Sequence, residues 1–374
     1  MHVCIVLENH PAAVMGGAEY QAHLLAEELA SRPDVRATYL ARSAPDNGLA
    51  SYEIRQFGST AGFRRRAVLF DSRSLWQALV DLQPDVIYQR MKQSYTLVGA
   101  LYGRRNGVPF VFHAASEPDV DGRWLRKGLS PNLPLDLLDV AAGNLGVRLS
   151  SRVVVQTKTQ ALLLRRHFGR EPAALVRNFQ PLPRALPAKL GADTRILWVG
   201  NIKDVKRPEL FLELASRFAG REDLQFWMVG RPGGNRGTHA TMMAIEQCGK
   251  VRYFGELPLR QVNALMSEAD IFVNTSSYEG SPNTFIQAWA RGAIVASLTV
   301  DVDDGMDALG IGYRAGNMDA LVRLIERLSR APELRREVGE RAFNYACREH
   351  SLDNAARLAD LLISTAGRAR DSSP

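Results

Sequence analysis

Short apolar runs alternate with amphipathic stretches along almost the whole chain. The run His2–Leu7 is the first: a glycine pair follows it, and Ala18–Ser31 then repeats apolar residues at helical spacing. Further strands are predicted at Val35–Ala41, Asp85–Gln89, Pro109–His113, Arg152–Thr157, Arg195–Gly200, Leu224–Val229, Val251–Phe254, Ile271–Thr275 and Ala293–Leu298. Helices are predicted at Leu75–Leu82, Tyr95–Arg105 and Thr159–Phe168, in the stretches between the strands of the second half and, with a break near Ala331, at Met318–Ile363. This alternation predicts parallel sheets with helices on both faces.

One segment interrupts the alternation. Residues 179–194 contain Pro181, Pro183 and Pro187, which exclude regular structure, so we interpret the segment as an interdomain linker. A chain of 374 residues suits two domains that each bury a core. We predict a first domain at 1–180, a linker at 181–194, a second domain at 195–350 and a final helix at 351–374, with packing back on the first domain as one option.

Composition narrows the class of protein. With 46% hydrophobic and 23% charged residues, the chain has the profile of an ordinary globular protein, which excludes disordered, collagen-like and disulfide-stapled chains. Its three cysteines have no metal-binding spacing, which favours a reducing compartment. The sequence has neither a secretory signal pattern nor an apolar run near the ~20 residues that span a bilayer.

The formal net charge of +7 lies in the first half of the chain. Residues 1–185 carry 23 Lys and Arg against 16 Asp and Glu, whereas residues 186–374 carry 24 of each. Two explanations stay open. Either a basic patch meets an anionic partner, or the excess is a compositional bias, since Arg outnumbers Lys 40 to 7.

The most specific motif is Thr275–Gly292, TSSYEGSPNTFIQAWARG, which follows an apolar strand. Ser281 and Pro282 indicate a helix start, with a hydroxyl N-cap and proline at the first helical position. Backbone N–H groups and the helix dipole at such a start favour an anion. Glu279 and Gln287 can lie ~10 Å apart on one face, roughly the span from the sugar to the ribose of a nucleotide sugar. The alternative is a capped helix with a solvated glutamate.

This segment resembles the C-terminal signature of the family 4 retaining glycosyltransferases, which have the GT-B fold. In that family a Glu-x7-Glu pattern places one glutamate at the donor sugar and the second at the ribose hydroxyls. Here Glu279 matches the first, and Gln287 replaces the second with an amide that lacks charge assistance. The resemblance implies an α/β fold of two doubly wound, Rossmann-like domains that face each other across a cleft. It places the acceptor with the first domain and the nucleotide sugar with the second.

A second segment, Ile196–Arg207, resembles the family's V-G-R-L-x-x-x-K-G motif, in which a basic pair grips the donor diphosphate. Lys206 matches the family lysine, whereas Asn201 stands where the family has arginine. Arg207 is a candidate to replace the missing cation. For Lys206 the alternative is a surface lysine that follows a strand.

Candidate residues in the first half lie near the ends of predicted strands. Gly16 and Gly17 resemble the family's N-domain glycine loop, where backbone approaches a phosphate or acceptor; a plain turn is the alternative. His113 ends a strand where the family often has a histidine at the donor sugar; the alternative is a core histidine. Arg90 and Glu117 are candidates for acceptor contacts.

Val251–Leu257 resembles the segment whose backbone reads the nucleobase, and Arg231 is a candidate to cover the base or the phosphate. The acidic run Asp301–Asp304 is interpreted as a loop, and the resemblance implies neither a metal nor a separate cofactor. Catalytic roles are implied for His113, Lys206 and Glu279. Donor contacts are implied for Gly16, Gly17, Asn201, Lys206, Arg207, Arg231, Phe254, Leu257, Glu279, Gly280, Ser281, Pro282, Asn283, Thr284 and Gln287.

The resemblance implies that a sugar is moved from a UDP- or GDP-sugar to a glycan, lipid-linked or small-molecule acceptor in polysaccharide or glycoconjugate biosynthesis. It also implies retention at the anomeric carbon, with the leaving diphosphate helping to deprotonate the acceptor. Two alternatives stay open: a protein that binds nucleotide sugars or glycans without turnover, and another GT-B enzyme such as a sugar-nucleotide epimerase. A nucleic-acid partner is not expected, because no recognition motif is present.

Two basic runs suit an anionic membrane surface. They are Arg64–Arg66 and Arg123–Lys127, and the second surrounds Trp124 and Leu125. A solvated basic loop is the alternative. We therefore expect a cytoplasmic protein and leave open a peripheral contact with the inner face of the membrane.

Overall fold

The chain divides by its internal contacts into two compact units. The computed structural model describes residues 1–44, 50–58, 71–122, 133–189, 191, 193–233 and 236–371. The first unit holds Met1–Phe179 and the C-terminal segment from Leu352 onward, and the second holds Gln180–Ser351. All strands expected from the apolar pattern are present, with ends that differ by at most two residues.

The helices and strands follow one another in the predicted alternation. The strands are β1 (His2–Asn9), β2 (Arg36–Ser43), β3 (Glu53–Gln56), β4 (Val86–Arg90), β5 (Phe110–His113), β6 (Arg152–Val155), β7 (Ala174–Leu175), β8 (Thr194–Val199), β9 (Leu224–Val229), β10 (Val251–Tyr253), β11 (Ile271–Asn274), β12 (Ile294–Ser297) and β13 (Gly312–Arg314). The helices are α1 (Gly17–Ala30), α2 (Ser72–Leu82), α3 (Tyr95–Asn106), α4 (Leu133–Leu149), α5 (Lys158–Phe168), α6 (Pro208–Ser216), α7 (Arg236–Gln247), α8 (Leu259–Glu268), α9 (Asn283–Trp289), α10 (Met306–Leu309), α11 (Met318–Ser329), α12 (Pro332–Glu349) and α13 (Asp353–Asp371).

In the first unit a parallel sheet is buried on both faces. Its strand order is β3-β2-β1-β4-β5-β6-β7. Along β1, Val3, Ile5 and Leu7 join the apolar cluster that includes residues of α1 and α13, whereas Cys4 and Val6 join the cluster that includes residues of α2, α3 and α5. Burial on both faces is why β1 is a continuous apolar run instead of an alternating one.

The second unit repeats this arrangement with the order β10-β9-β8-β11-β12-β13, again parallel. Along β8, Ile196 and Trp198 face one apolar cluster and Leu197 faces the other. The proline-rich segment belongs to this unit, and the Lys189 ammonium donates to the carbonyls of Ser267 (3.0 Å) and Ala269 (2.6 Å) at the C-terminal end of α8. Burial lowers the pKa of Lys189 to about 8.

The apolar pattern missed the short strands β3, β7 and β13 and helix α4. Two to four residues of strand carry too little alternation to be distinguished from a loop. The predicted helical stretch at the C-terminus is interrupted twice, before Pro332 as expected and again at His350–Leu352, where the chain returns to the first unit. No helix in the described part of the chain is both long and apolar enough to cross a membrane.

Candidate functional site

Two loops lie together at the carboxyl edge of the second sheet. One follows β8 and carries Lys206 at the end of a short 3-10 turn, Asp204–Lys206; the other follows β11 and carries Glu279. Because β8 and β11 are parallel neighbours, their carboxyl ends lie side by side, which is where α/β sheets bind ligands.

Lys206 and Glu279, which the sequence singled out separately, form an ion pair between Nζ and Oε1. Their side chains are 25% and 15% exposed. The Ser276 hydroxyl donates to the same carboxylate oxygen (2.7 Å), and the Asn274 amide donates to Ser276 Oγ (3.2 Å). A partly exposed ion pair contributes about 1 kcal/mol or less, so a ligand can exchange its contacts with little penalty.

Further hydrogen bonds join the two loops below this pair. The Thr275 hydroxyl donates to the carbonyl of Lys206 (2.7 Å) and accepts from Trp198 Nε1 (2.9 Å). The backbone N–H of Ser277 donates to the carbonyl of Val205 (2.9 Å). Thr275 and Trp198 are buried, so the two bonds of the Thr275 hydroxyl lie inside the fold, whereas the Ser277–Val205 bond joins two exposed residues. Together the three bonds hold the loops in register.

Arg207 takes a position that the sequence did not predict. Its Nε–H donates to the carbonyl of Thr275 (2.7 Å), and its Nη2 donates to the carbonyl of Ser276 (3.1 Å) and to the hydroxyl of Thr299. Its hydrogen bonds in this structure are therefore internal to the unit, and the diphosphate contact stays a prediction. Asn201 lies half-buried after β8, at the same edge of the sheet.

The segment that follows Glu279 begins its helix one residue later than expected. The N-cap of α9 is Pro282, with an extended ψ of 118°, and the first helical residue is Asn283. The prediction of Ser281 as N-cap and Pro282 as first helical residue is therefore wrong by one position. Gln287 lies on the buried side of α9 with 6% exposure. Gly280, Ser281 and Thr284 are partly exposed around the helix start.

The remaining candidates of the second unit follow β9 and β10. Arg231 is exposed, and its Nη1 lies 3.8 Å from Glu256 Oε1. Phe254 packs edge-on against Trp227, with ring centroids 5.9 Å apart. Leu257 and Phe254 both pack against the apolar cluster that contains Trp227 and Leu197. These residues lie at the carboxyl edge that also carries Lys206, because β8, β9 and β10 are parallel neighbours.

In the first unit, Gly16 is the N-cap of α1 and Gly17 is its first residue. The buried Glu19 carboxylate folds back over this start, so that a Cβ at Gly16 would overlap it. This close approach is a physical reason for glycine at position 16. Burial raises the pKa of Glu19, while a hydrogen bond from the Asn9 side chain acts in the opposite direction. Glu19 closes the run Gly16-Gly17-Ala18-Glu19, of which only the two glycines were predicted as candidates.

Arg90 and His113 are both buried, at the ends of β4 and β5. Arg90 donates to Asn178 Oδ1 (2.5 Å) and lies 3.3 Å from His113 Nδ1, which is also 2.8 Å from the Tyr88 hydroxyl. Because an arginine N–H only donates, Nδ1 is the unprotonated nitrogen of this ring. Burial, and secondly Arg90, hold the pKa of His113 well below its usual value. Arg90 thus contacts His113 inside the fold, while an acceptor contact of Arg90 and a catalytic role of His113 both stay predictions.

Glu117 is the first residue of a short 3-10 turn after β5 and is partly exposed. Asp119 accepts from the backbone N–H groups of Ala115 (2.8 Å), Ser116 (3.1 Å) and Lys92 (3.1 Å), which makes it a cap. The basic runs Arg64–Arg66 and Arg123–Lys127 lie outside the described residues. Within the described ranges, no group of three or more His, Cys, Asp or Glu is arranged to hold a metal ion.

Two family models match the chain. The model described as "Glycosyl transferase 4-like domain" covers residues 16–178, and "Glycosyl transferases group 1" covers residues 193–331. The D-inositol 3-phosphate glycosyltransferase of Rhodococcus jostii is 28% identical over 287 residues, which is 68% of this chain and 62% of that protein. The chain therefore spans about three fifths of the length of the curated relatives it matches.

Solved structures share the architecture at low sequence identity. Sucrose-phosphate synthase from Thermosynechococcus elongatus matches with a TM-score of 0.77 and 15% identity over 97% of this chain and 98% of that one. HepE from Anabaena, solved in complex with UDP and glucose, matches with a TM-score of 0.74 and 14% identity over 97% of this chain and 100% of that one. These likenesses show the fold, two Rossmann-like units of the GT-B kind.

Proposed function

The chain belongs to the family 4, group 1 glycosyltransferases, and on that premise we propose that it moves a sugar from a nucleotide-sugar donor to an acceptor with retention at the anomeric carbon. The observation that carries the proposal is the Lys206–Glu279 pair at the carboxyl edge of the second sheet. A cation beside a carboxylate is chemically suited to a donor that joins an anionic diphosphate to a sugar rich in hydroxyls.

In the proposed reaction, the bond between the anomeric carbon and the diphosphate oxygen breaks, and the acceptor oxygen bonds to the same face of the sugar. The acceptor's proton passes to the departing diphosphate, so the charges balance without a covalent enzyme intermediate. Lys206 stabilises the negative charge that grows on the diphosphate, and Glu279 accepts hydrogen bonds from sugar hydroxyls. Catalysis then depends on positioning and on electrostatic stabilisation.

The partners are proposed at the level of chemical class. Because HepE was solved with UDP and glucose, a UDP-sugar is the first donor to test, with GDP-sugars next. The name of the Rhodococcus relative indicates a phosphorylated polyol acceptor for that protein. The positive charge of this chain's first half is compatible with an anionic acceptor, whether a small phosphorylated molecule, a lipid-linked glycan or an anionic membrane surface.

The test is a pair of single substitutions, Lys206→Ala and Glu279→Ala, with Lys203→Ala as a control in the same exposed loop. Removal of one preorganised charge typically raises the barrier by roughly 3 kcal/mol, so we expect turnover and slow donor hydrolysis to fall about 100-fold or more. Unfolding temperatures should stay close to wild type, since the pair is partly exposed. Near-normal transfer by either variant contradicts the site assignment.

A thermal-shift screen identifies the donor and separates transfer from binding alone. A bound donor raises the apparent stability by RT ln(1 + [L]/Kd), so at equal concentrations the UDP-, GDP- or ADP-sugar that binds most tightly should give the largest shift. A donor that binds tightly and is neither transferred nor hydrolysed points to a binding protein without turnover.

A further inference from the structure

We propose that Arg207 is a positioning residue of this site, which holds the Glu279 loop against the Lys206 loop and does not serve as a second cation for the diphosphate. The inference rests on the proposed function only in that the Lys206–Glu279 pair is taken as the reacting site. Its structural part concerns how that pair is held.

The hydrogen bonds of the Arg207 side chain go to two places: the segment between β11 and Glu279, and Thr299, which follows β12. Two carbonyls of consecutive residues, Thr275 and Ser276, accept from one edge of the guanidinium, and the Thr299 hydroxyl accepts from the same Nη2. The Thr299 hydroxyl also donates to the Ser276 carbonyl (3.2 Å). The planar fork of arginine is suited to such paired acceptors, and the single ammonium of lysine is not.

The residues that Arg207 holds are those that position Glu279. Ser276 donates to the Glu279 carboxylate (2.7 Å), and its own carbonyl accepts from Arg207 (3.1 Å). Lys206 is the preceding residue in the chain, so one short stretch both supplies the cation and holds the partner's loop. A shift of the Ser276 backbone would therefore move the carboxylate relative to the ammonium.

The backbone of Arg207 is in the left-handed region, with φ 47° and ψ 55°. This conformation favours glycine, and the motif that the segment resembles has glycine after its lysine. Arginine at such a position is strained, and strain of this kind persists where surrounding contacts hold it. The three hydrogen bonds of the guanidinium provide such contacts.

In the same segment, Asn201 stands where the family's V-G-R-L-x-x-x-K-G motif has arginine. The simpler interpretation of Asn201 and Arg207 is that the motif's cation has moved from position 201 to position 207. That interpretation predicts an Arg207 side chain that is open to a phosphate. The structure instead has the guanidinium bonded to two backbone carbonyls and one hydroxyl of its own unit. We call Arg207 with its three acceptors, on Thr275, Ser276 and Thr299, the clamp. The geometry favours this positioning role over a relocated cation that binds the diphosphate.

Hydrogen exchange tests the clamp without reference to activity. The reporter is the Ser277 amide, which donates to the carbonyl of Val205 (2.9 Å) across the two loops. Loss of hydrogen bonds from a charged group changes the equilibrium between the closed and the open loop by about 10-fold or more. In Arg207→Gly and in Arg207→Lys, the exchange rate of the Ser277 amide should therefore rise by at least that factor. Arg217→Ala, which removes an exposed arginine after α6, serves as the control and should leave the rate unchanged.

Activity assays separate a clamp from a phosphate ligand. We expect Arg207→Lys and Arg207→Gly to lower kcat about 10-fold or more while the KM for the donor changes about threefold or less. Adding Asn201→Arg to Arg207→Gly, which restores both residues of the resembling motif, should not restore kcat. Wild-type kcat in Arg207→Lys, rescue by Asn201→Arg, or an unchanged Ser277 exchange rate would each overturn the inference.

The two proposals fail separately. If the wild-type chain neither binds nor turns over any nucleotide sugar, the proposed function fails. The exchange rates of the Arg207 variants still decide whether the clamp exists.

Discussion

The first unit should lose stability as the pH falls from about 6.5 to about 4, because it buries histidines in their neutral form. The group with the clearest value is His10, whose pKa burial lowers to about 4. Its Nδ1 accepts from the backbone N–H of Ala12 (3.2 Å), so Nε2 carries the proton and faces the Tyr52 hydroxyl (2.9 Å). Burial likewise lowers the pKa of His2, His23 and His113 in this unit.

The sign follows from proton binding in the two states. Below a pH of about 6.5 an unfolded histidine takes up a proton, whereas His10 in the fold does not until about pH 4. Each such group therefore contributes a slope of at most ~1.4 kcal/mol per pH unit, and His10 alone costs at most about 3 kcal/mol over the window. Glu19 acts in the opposite direction, because its raised pKa stabilises the folded state as the pH falls. This single carboxyl offsets only part of the effect of the four histidines with lowered pKa values. Glu53, whose pKa is lowered to about 2, acts in the same direction as the histidines at the acid end of the window, because an unfolded glutamate takes up its proton from about pH 4.5 downward.

The measurement needs a reporter confined to this unit. Cys4 is fully buried in β1, so its thiol reacts only when the first unit opens. Labelling with 4,4′-dithiodipyridine across urea concentrations, located at Cys4 by mass spectrometry, gives an unfolding free energy at each pH. In His10→Gln we expect a lower stability at pH 7.5 and a flatter pH dependence, by up to ~1.4 kcal/mol per pH unit.

The exposed His239 on α7 of the second unit provides the matched control, as His239→Gln. This variant should follow the wild-type curve for Cys4. An unfolding free energy that is independent of pH between 6.5 and 4.5 would refute the reasoning, as would a His10→Gln curve parallel to that of the wild type.

Two further predictions concern the second unit. A Cβ at Gly230 would overlap the carbonyl oxygen of Gly200, so Gly230→Ala should lower the unfolding free energy of this unit by about 2 kcal/mol or more. The control Gly249→Ala, which has open space around its Cβ, should leave it nearly unchanged. Urea unfolding measures both. Ser276→Ala removes a hydrogen bond to the Glu279 carboxylate (2.7 Å) and should lower kcat about 10-fold or more, while Ser277→Ala, at an exposed neighbour, should stay within about threefold. Equal kcat values for these two serine variants would mean that the polar chain below Glu279 does not support it.

The architecture was largely predictable from local pattern. Runs such as Ile196–Val199 are apolar on both faces, and in parallel sheets covered by helices such runs are strands. Proline density marked the boundary between the units, because proline removes donors and fixes φ. The second break in the C-terminal helical stretch, at His350–Leu352, carried no such signal.

The site was predictable in part. Lys206 and Glu279 were identified separately, 73 residues apart, and the structure brings them into one ion pair. The supporting contacts of Ser276 and Arg207 were not identified. A serine or an arginine in a loop has the same local signature whether it faces solvent or a neighbouring loop.

The sequence by itself determined the alternation of strands and helices, the two units and the motif positions, because these depend on periodicity and on residue types that act locally. Only the tertiary structure decided that Arg90 supports His113 inside the fold and that Arg207 bonds to carbonyls more than sixty residues away. The reason is that a charged side chain's partner is set by which distant backbone the sheet brings within reach, and hydrogen-bond geometry over about 3 Å is not encoded in any local pattern.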